Sequence, residues 1–183
     1  MNIHQLSVSH DERQDRLLLR LNTQDGQEFR FWLTRRMVSR LLPAMDQSVV
    51  RLEATQPGMA AIDAASQKML TEFKRDAFLK TADFSTPYTA APRLLPLGDE
   101  PLLVTDAQLS LQPHGALQII FQKKTSETSQ SCQLNLQASL VHGMIHLMRQ
   151  SIAQADWGLL PQDAAKDSEL PHNMAVNAQA YKH

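Results

Sequence analysis

Cysteine is almost absent from this sequence, with Cys132 the one example in 183 residues. A single cysteine cannot form a disulfide within the chain, so the class of small secreted domains held by internal disulfides is excluded. The first residues, MNIHQLSVSHDER, are polar and lack the basic and apolar segments of a secretory signal. We therefore expect a cytoplasmic protein.

Charge of one sign is also lacking, because 18 Lys and Arg nearly balance 19 Asp and Glu and leave a net charge of −1. A chain with this balance has no overall attraction to nucleic acid or to anionic membranes, so any such binding needs a local patch. No apolar run approaches the roughly 20 residues that cross a bilayer, so no membrane partner is expected. With 6 glycines, the chain has no glycine-rich phosphate-binding loop, and we expect no cofactor.

The alternation of apolar and polar residues predicts three strands at the start of the chain. Residues 3–9 can form the first strand, and Asp25-Gly26 marks a hairpin within DRLLLRLNTQDGQEFRFWL, residues 15–33. A two-residue loop would mix apolar and polar residues on each face, whereas a three-residue loop with Gly26 left-handed keeps them apart. The predicted pairs are Leu21 with Phe29, Leu19 with Phe31, Leu17 with Leu33, Arg20 with Arg30 and Leu18 with Trp32.

A helix is predicted to follow the third strand, with Thr34 as its N-cap. Pro43 removes a backbone donor and clashes with the preceding turn, which predicts a kink or a helix in two pieces. The apolar side of this helix comprises Met37, Val38, Leu41, Leu42, Met45 and Val49.

A long central helix is predicted over residues 59–84, after the breaker Gln56-Pro57-Gly58. Its helical spacing is shown by Ile62, Ala65, Met69, Phe73 and Ala77. The prolines of residues 85–101 then predict an extended connector. Residues 158–183 show no sustained periodicity and predict a flexible C-terminal tail.

From about residue 102 the order of elements seen at the start returns. LVTDAQLSLQ, ALQIIFQK and CQLNLQ predict three strands, and ASLVHGMIHLMRQSIAQADWG predicts an amphipathic helix. The expected inward set pairs Leu117, Ile119 and Phe121 with Leu136, Leu134 and Cys132.

The sequence thus predicts an α+β fold of two antiparallel three-stranded meander-plus-helix units, residues 1–54 and 102–157, joined by the long central helix into a single domain over residues 1–157. Internal duplication and chance similarity of two small α+β units both explain the repeated order. Strand-strand-strand-helix repeats resemble, in element order alone, the single-stranded-DNA-binding PUR and Whirly folds, which is an analogy of topology.

Arginine and tryptophan side chains mark one candidate surface. Arg20, Arg30 and Trp32 share the outward face of the first sheet, and the outer side of the next helix adds Arg36, Arg40 and Arg51. Such a surface can stack bases and pair with phosphates, as single-strand binders do. It also fits a partner protein that packs on the tryptophan. We favour a third interpretation, in which the long helix covers Trp32 and Leu18 and the arginines pair with acids such as Asp63 or Glu72.

Amide side chains mark a second candidate surface, on the outward face of the second sheet. Its members are Gln118, Gln122, Gln133, Asn135 and Gln137. Hydrogen-bonded amides can be buried at an interface at lower cost than charges, which indicates subunit or partner packing, while a solvated polar sheet is the alternative.

His142 and His146 stand four residues apart on the last predicted helix, a spacing at which two imidazoles can reach one metal. Gly143 occupies the position where a zinc protease motif has its glutamate base, and no third ligand is identifiable. The favoured interpretation is two boundary histidines beside the apolar stripe, with no metal. Cys132 is expected in the core rather than as a nucleophile.

These observations predict a non-enzymatic, cytoplasmic protein-interaction protein, an adaptor, regulatory or assembly subunit that binds another protein or itself. A single-stranded nucleic-acid-binding module using the Arg20, Arg30 and Trp32 surface is the alternative. A metal-assisted hydrolase built on His142 and His146 is the third possibility.

Overall fold

The computed structural model describes residues 2–55, 63–89 and 94–158. Within these residues the chain forms two sheets of antiparallel strands and three helices, which confirms the predicted α+β fold. The predicted breaker at 56–58, the first residues of the predicted central helix, 59–62, and the predicted tail beyond Gly158 lie outside the described residues.

The first sheet begins with three antiparallel strands, β1 (Ile3–Asp11), β2 (Arg16–Thr23) and β3 (Glu28–Thr34). Gly26 has a φ of 73°, and Thr23 N donates to Gln27 O at 2.9 Å, which closes the three-residue loop. The predicted register is therefore confirmed. The pairs are Leu21 with Phe29, Leu19 with Phe31, Leu17 with Leu33, Arg20 with Arg30 and Leu18 with Trp32.

Helix α1 (Arg35–Ala54) follows directly, and Thr34 Oγ1 accepts a hydrogen bond from Met37 N at 3.1 Å, as expected of the cap. The helix runs through Pro43 without interruption, so the prediction of two pieces is wrong. Proline costs one helical hydrogen bond, but Leu41 and Met45 on either side of it are buried, and this packing keeps the helix continuous.

The connector and the two residues after it extend the first sheet in a way that the sequence did not predict. Leu94 forms a bridge with Gln27, and β4 (Leu102–Leu103) pairs with β3 in parallel, so that the first sheet has the order β1-β2-β3-β4. The predicted strand at 103–112 is thus divided. Val104 N donates to Trp32 O at 3.0 Å and Thr105 N donates to Gln122 O at 2.8 Å, so the chain crosses between the sheets at these residues.

The second sheet consists of β5 (Asp106–Gln112), β6 (Ala116–Lys124) and β7 (Ser129–Gln137), in that order. It is followed by α3 (Ala138–Gln154). The predicted inward set is confirmed, because Leu117, Ile119 and Phe121 pair with Leu136, Leu134 and Cys132 and all six are buried.

The central helix, α2 (Ala64–Thr81), is shorter than predicted. It starts after Asp63, whose Oδ1 accepts from Ala65 N and Ser66 N. It ends before 84 because Asp83 accepts hydrogen bonds from Ser85 N and Thr86 N, a local turn that competes with the helix.

Buried side chains from both units form one hydrophobic cluster, in which the rings of Phe31 and Phe121 lie 5.0 Å apart. The helices are exchanged between the units: α1 packs against β5, α3 packs against β1, and the two helices contact each other. Internal duplication and the assignment of 1–157 to a single domain stay predictions. Of the helices in the described part of the chain, none is both long and apolar enough to cross a membrane.

Candidate functional site

Arg20, Arg30 and Trp32 do lie together on the outward face of the first sheet, because their register places them on adjacent positions of β2 and β3. Both arginines already make internal contacts. Arg20 Nε donates to Ser7 Oγ at 3.2 Å, and its guanidinium lies 4.4 Å from the centre of the Tyr88 ring. Arg30 Nη2 donates to the backbone oxygen of Asp99, and Trp32 is half-buried.

The favoured interpretation of this surface is wrong in one part, the cover by the central helix. Its other part, pairing of the arginines with acids, is seen at Arg30, whose Nε lies 4.0 Å from Glu28 Oε1. Helix α2 packs on α1 and α3, and Asp63 is used as its N-cap. The first sheet is approached instead by the connector, through Tyr88, Asp99 and β4. Sequence periodicity could not show this, because an irregular segment leaves no repeating pattern.

Helix α1 carries the three other arginines of the predicted surface. Arg36 and Arg51 are exposed and Arg40 is half-buried. Arg51 lies 16 residues beyond Arg35 on one helix, about 24 Å along the axis at about 1.5 Å per residue. The three predicted arginines of α1 are therefore spread along the helix, and their joint use with Arg20, Arg30 and Trp32 stays a prediction.

The five amides of the second sheet lie on one face, as predicted. Gln133, Asn135 and Gln137 on β7 are exposed, and Gln118 and Gln122 on β6 are half-buried. Hydrogen bonds link this face across the strands. Gln118 Oε1 accepts from Ser110 Oγ at 3.2 Å, and Gln118 Nε2 reaches Asn135 Oδ1 at 3.5 Å.

A buried polar pair lies where the three helices meet. His142 Nε2 donates to Glu53 Oε1 at 3.0 Å, although the two residues are only 4% and 2% exposed. Lys74 on α2 places Nζ 3.9 Å from Glu53 Oε2. The expectation that His142 is a boundary histidine is therefore wrong. The two residues are 89 apart in sequence, so the pair is visible only once the packing of α1 against α3 is known.

An ion pair joins the same two helices two turns away. Arg149 Nη2 lies 2.8 Å from Asp46 Oδ2. Asp46 and Glu53 are seven residues apart on α1, as are His142 and Arg149 on α3, so the two antiparallel helices are joined at matching positions. Burial raises the pKa of Asp46 above its usual range, and attraction to Arg149 opposes that rise.

His146 does not join His142 in a ligand pair. Its ring centre lies 4.8 Å from that of Phe84, while His142 is bonded to Glu53. Within residues 2–55, 63–89 and 94–158, no cluster of three or more His, Cys, Asp and Glu is placed to hold a metal ion. Cys132 is buried, and burial raises the pKa of its thiol to about 11.

The outward face of α2 is the surface that sequence reasoning missed. Met69 is 68% exposed and Phe73 is 69% exposed, one helical turn apart. The described part of the stripe that predicted this helix, Ala65 to Ala77, thus points to solvent. Thr71 on the opposite side is the single buried residue of α2. By contrast, α1 has seven buried residues and α3 has eight. Periodicity detects an apolar stripe but not the element against which the stripe packs.

A cleft of about 560 Å³ lies between β1, α3 and residues 82–88. Leu140, Met144 and Leu147 of α3 form part of its wall, together with Phe78. Asp83 also lines this cleft, and hydrogen bonds from Thr86 and Ser85 hold the pKa of its carboxyl below the usual range. These bonds engage the acid within its own turn, and the cleft has a mixed lining to which His4, Gln5 and Ser7 of β1 also contribute.

No protein-family model, curated protein or solved structure matches this chain.

Proposed function

We propose that this chain is a non-enzymatic, cytoplasmic protein-interaction subunit that uses the outward face of α2 to bind another protein. The observation that carries the proposal is the exposure of Met69 and Phe73, two large apolar side chains at about two-thirds of their full area. Contiguous exposed apolar side chains on a folded protein mark binding surfaces.

The spacing of the two residues supports a helix that docks into an apolar groove. Positions four apart lie side by side on a helix, which is how amphipathic helices present their anchors. Covering each side chain completely contributes about 1.5–3 kcal/mol. Lys68, Asp76 and Lys80 are also exposed on α2, and they supply the charged rim that surrounds such anchors.

The light anchoring of α2 agrees with this role. Thr71 is the single buried residue of this 18-residue helix, whereas its other contacts with α1 and α3 use half-buried side chains such as Phe78 and Lys74. A partner that covers Met69 and Phe73 would supply the burial that the helix lacks. The non-enzymatic part of the proposal is supported by the state of two reactive groups, since Cys132 is buried with a raised pKa and His142 is bonded to Glu53.

The experiment is affinity capture of the tagged protein from native lysate with and without nuclease, comparing wild type with the double variant M69Q/F73Q. Both positions are exposed and glutamine favours helix, so the fold is expected to be retained. The matched control is R36Q/R51Q, which alters two exposed residues of α1. We expect specific proteins to be lost from M69Q/F73Q and kept by the control.

Equal recovery of the same proteins by all three forms would show that the α2 face is not the binding surface. Recovery that disappears with nuclease and with Trp32→Ala would favour the nucleic-acid-binding alternative.

A further inference from the structure

Edge strands of a sheet expose unpaired backbone groups, and proteins generally cover or interrupt them. In this fold β1 lies against α3, where Ser151 Oγ donates to Val8 O at 3.1 Å. The equivalent first strand of the second sheet, β5, lies against α1. Each first strand therefore has a helix of the other unit packed against it.

The outer edges of the third strands, β3 and β7, differ from each other. The outer edge of β3 pairs with β4, which is itself only two residues long and follows Pro101. A short strand next to proline is a standard protection against further pairing. The equivalent strand, β7, hydrogen-bonds to β6 on one side, and no strand of the described residues pairs with its other side.

β7 also lacks the residues that normally protect an open edge. Its nine residues, SQSCQLNLQ, contain no charge and no proline. The connector approaches it at one end, where Gln130 Nε2 donates to Leu97 O at 3.0 Å. Beyond that contact, its outward side chains are exposed. They are Ser131, Gln133, Asn135 and Gln137.

We propose that the open edge of β7 pairs antiparallel with β7 of a second copy of this chain, joining the two second sheets into one of six strands. The sequence of the strand is suited to pairing with itself, since no like charges would be brought together. Centred on Gln133, the pair sets each Ser131 opposite Asn135 of the second copy. On the inner face it sets Cys132 opposite Leu134 of the second copy.

This inference deepens the proposed role as an assembly subunit and rests on it, but it uses a different surface from α2. A single strand pair buries less than the roughly 1,200 Å² of a stable interface. The dimer is therefore expected to form and dissociate with concentration, and it leaves Met69 and Phe73 free for another partner.

The test is sedimentation velocity of the full-length protein over a wide concentration range, comparing wild type with the variant Q133K. Gln133 is exposed, so the substitution leaves the core intact while it places two lysines opposite each other in the proposed pair. The matched control is Q118K, which makes the same change on the same sheet face but on the central strand β6.

We expect wild type and Q118K to approach twice the 20.6 kDa monomer mass, and Q133K to remain monomeric. Hydrogen exchange is expected to show amides of β7 gaining protection as wild type dimerises. A monomer at all concentrations would overturn the proposal, and so would a dimer lost in Q118K but kept in Q133K, which indicates packing of sheet faces. A monomer with protected β7 amides would show that the chain itself covers the edge.

The variant M69Q/F73Q separates this proposal from the previous one. It is expected to dimerise like wild type, so loss of partner binding and loss of dimerisation are distinguishable outcomes.

Discussion

Replacing Glu53 with alanine removes one member of the buried pair that joins α1 to α3. His142 Nε2 loses its partner at 3.0 Å in a site where the imidazole is 4% exposed, so water cannot replace the carboxylate without local opening. Leaving a buried polar group unsatisfied costs about 1–3 kcal/mol, and the lost packing of the buried Glu53 side chain adds to this. We expect E53A to lower the free energy of unfolding by about 3 kcal/mol.

The assay is equilibrium unfolding in urea. With a slope of about 2 kcal/mol per M, a loss of about 3 kcal/mol lowers the midpoint by about 1.5 M. Glu53→Gln keeps an oxygen acceptor for His142 and is expected to cost about 1 kcal/mol. Glu127→Ala, at an exposed glutamate in the loop before β7, is the control and is expected to leave the midpoint unchanged. An E53A midpoint within about 0.3 M of wild type would refute this reasoning.

Three further outcomes follow from single side chains. Burial raises the pKa of Asp46, so its ionised form is disfavoured in the folded protein. The stability of wild type relative to Asp46→Asn should therefore fall as pH rises through that pKa. Thermal unfolding from pH 3 to 7 measures this difference, and an increase with pH would contradict the prediction. Native Cys132, with a pKa of about 11, should react with iodoacetamide at pH 8 far more slowly than the urea-unfolded protein, and mass spectrometry showing equal rates would contradict its burial. Gly143→Ala should stabilise the protein by up to about 1 kcal/mol, because alanine favours the helix over glycine and the added Cβ fits at 3.5 Å from Phe78. A clear loss of stability on thermal unfolding would show that the helices cannot accommodate the methyl group.

Local pattern predicted much of the fold. The alternation of leucine and phenylalanine around Gly26 determined the register of β2 and β3, because shifting the pairing by one residue would turn those side chains to the wrong face. The same argument placed Cys132, Leu134 and Leu136 inward on β7. Thr34 was identifiable as a cap because its chemistry acts within one turn of the helix.

The parts that were not predicted depend on contacts between distant segments. Parallel pairing of β4 with β3 joins residues about 70 apart, and two residues carry no strand periodicity. The pairing of Glu53 with His142 depends on how α1 and α3 cross, which neither helix encodes alone. The outward direction of Met69 and Phe73 likewise depends on which side of α2 contacts the other helices.

The central claim, that α2 binds a partner protein through its apolar face, is tested most directly by site-specific photocrosslinking. A benzophenone amino acid is placed at Phe73 in one sample and at the exposed Arg36 in another, and each is irradiated in native lysate. We expect a discrete crosslinked protein from position 73 that is absent from position 36. The substitution M69Q is expected to lower the yield of this product. The same products from both positions, or none from position 73 while unmodified protein still co-purifies with partners, would contradict it.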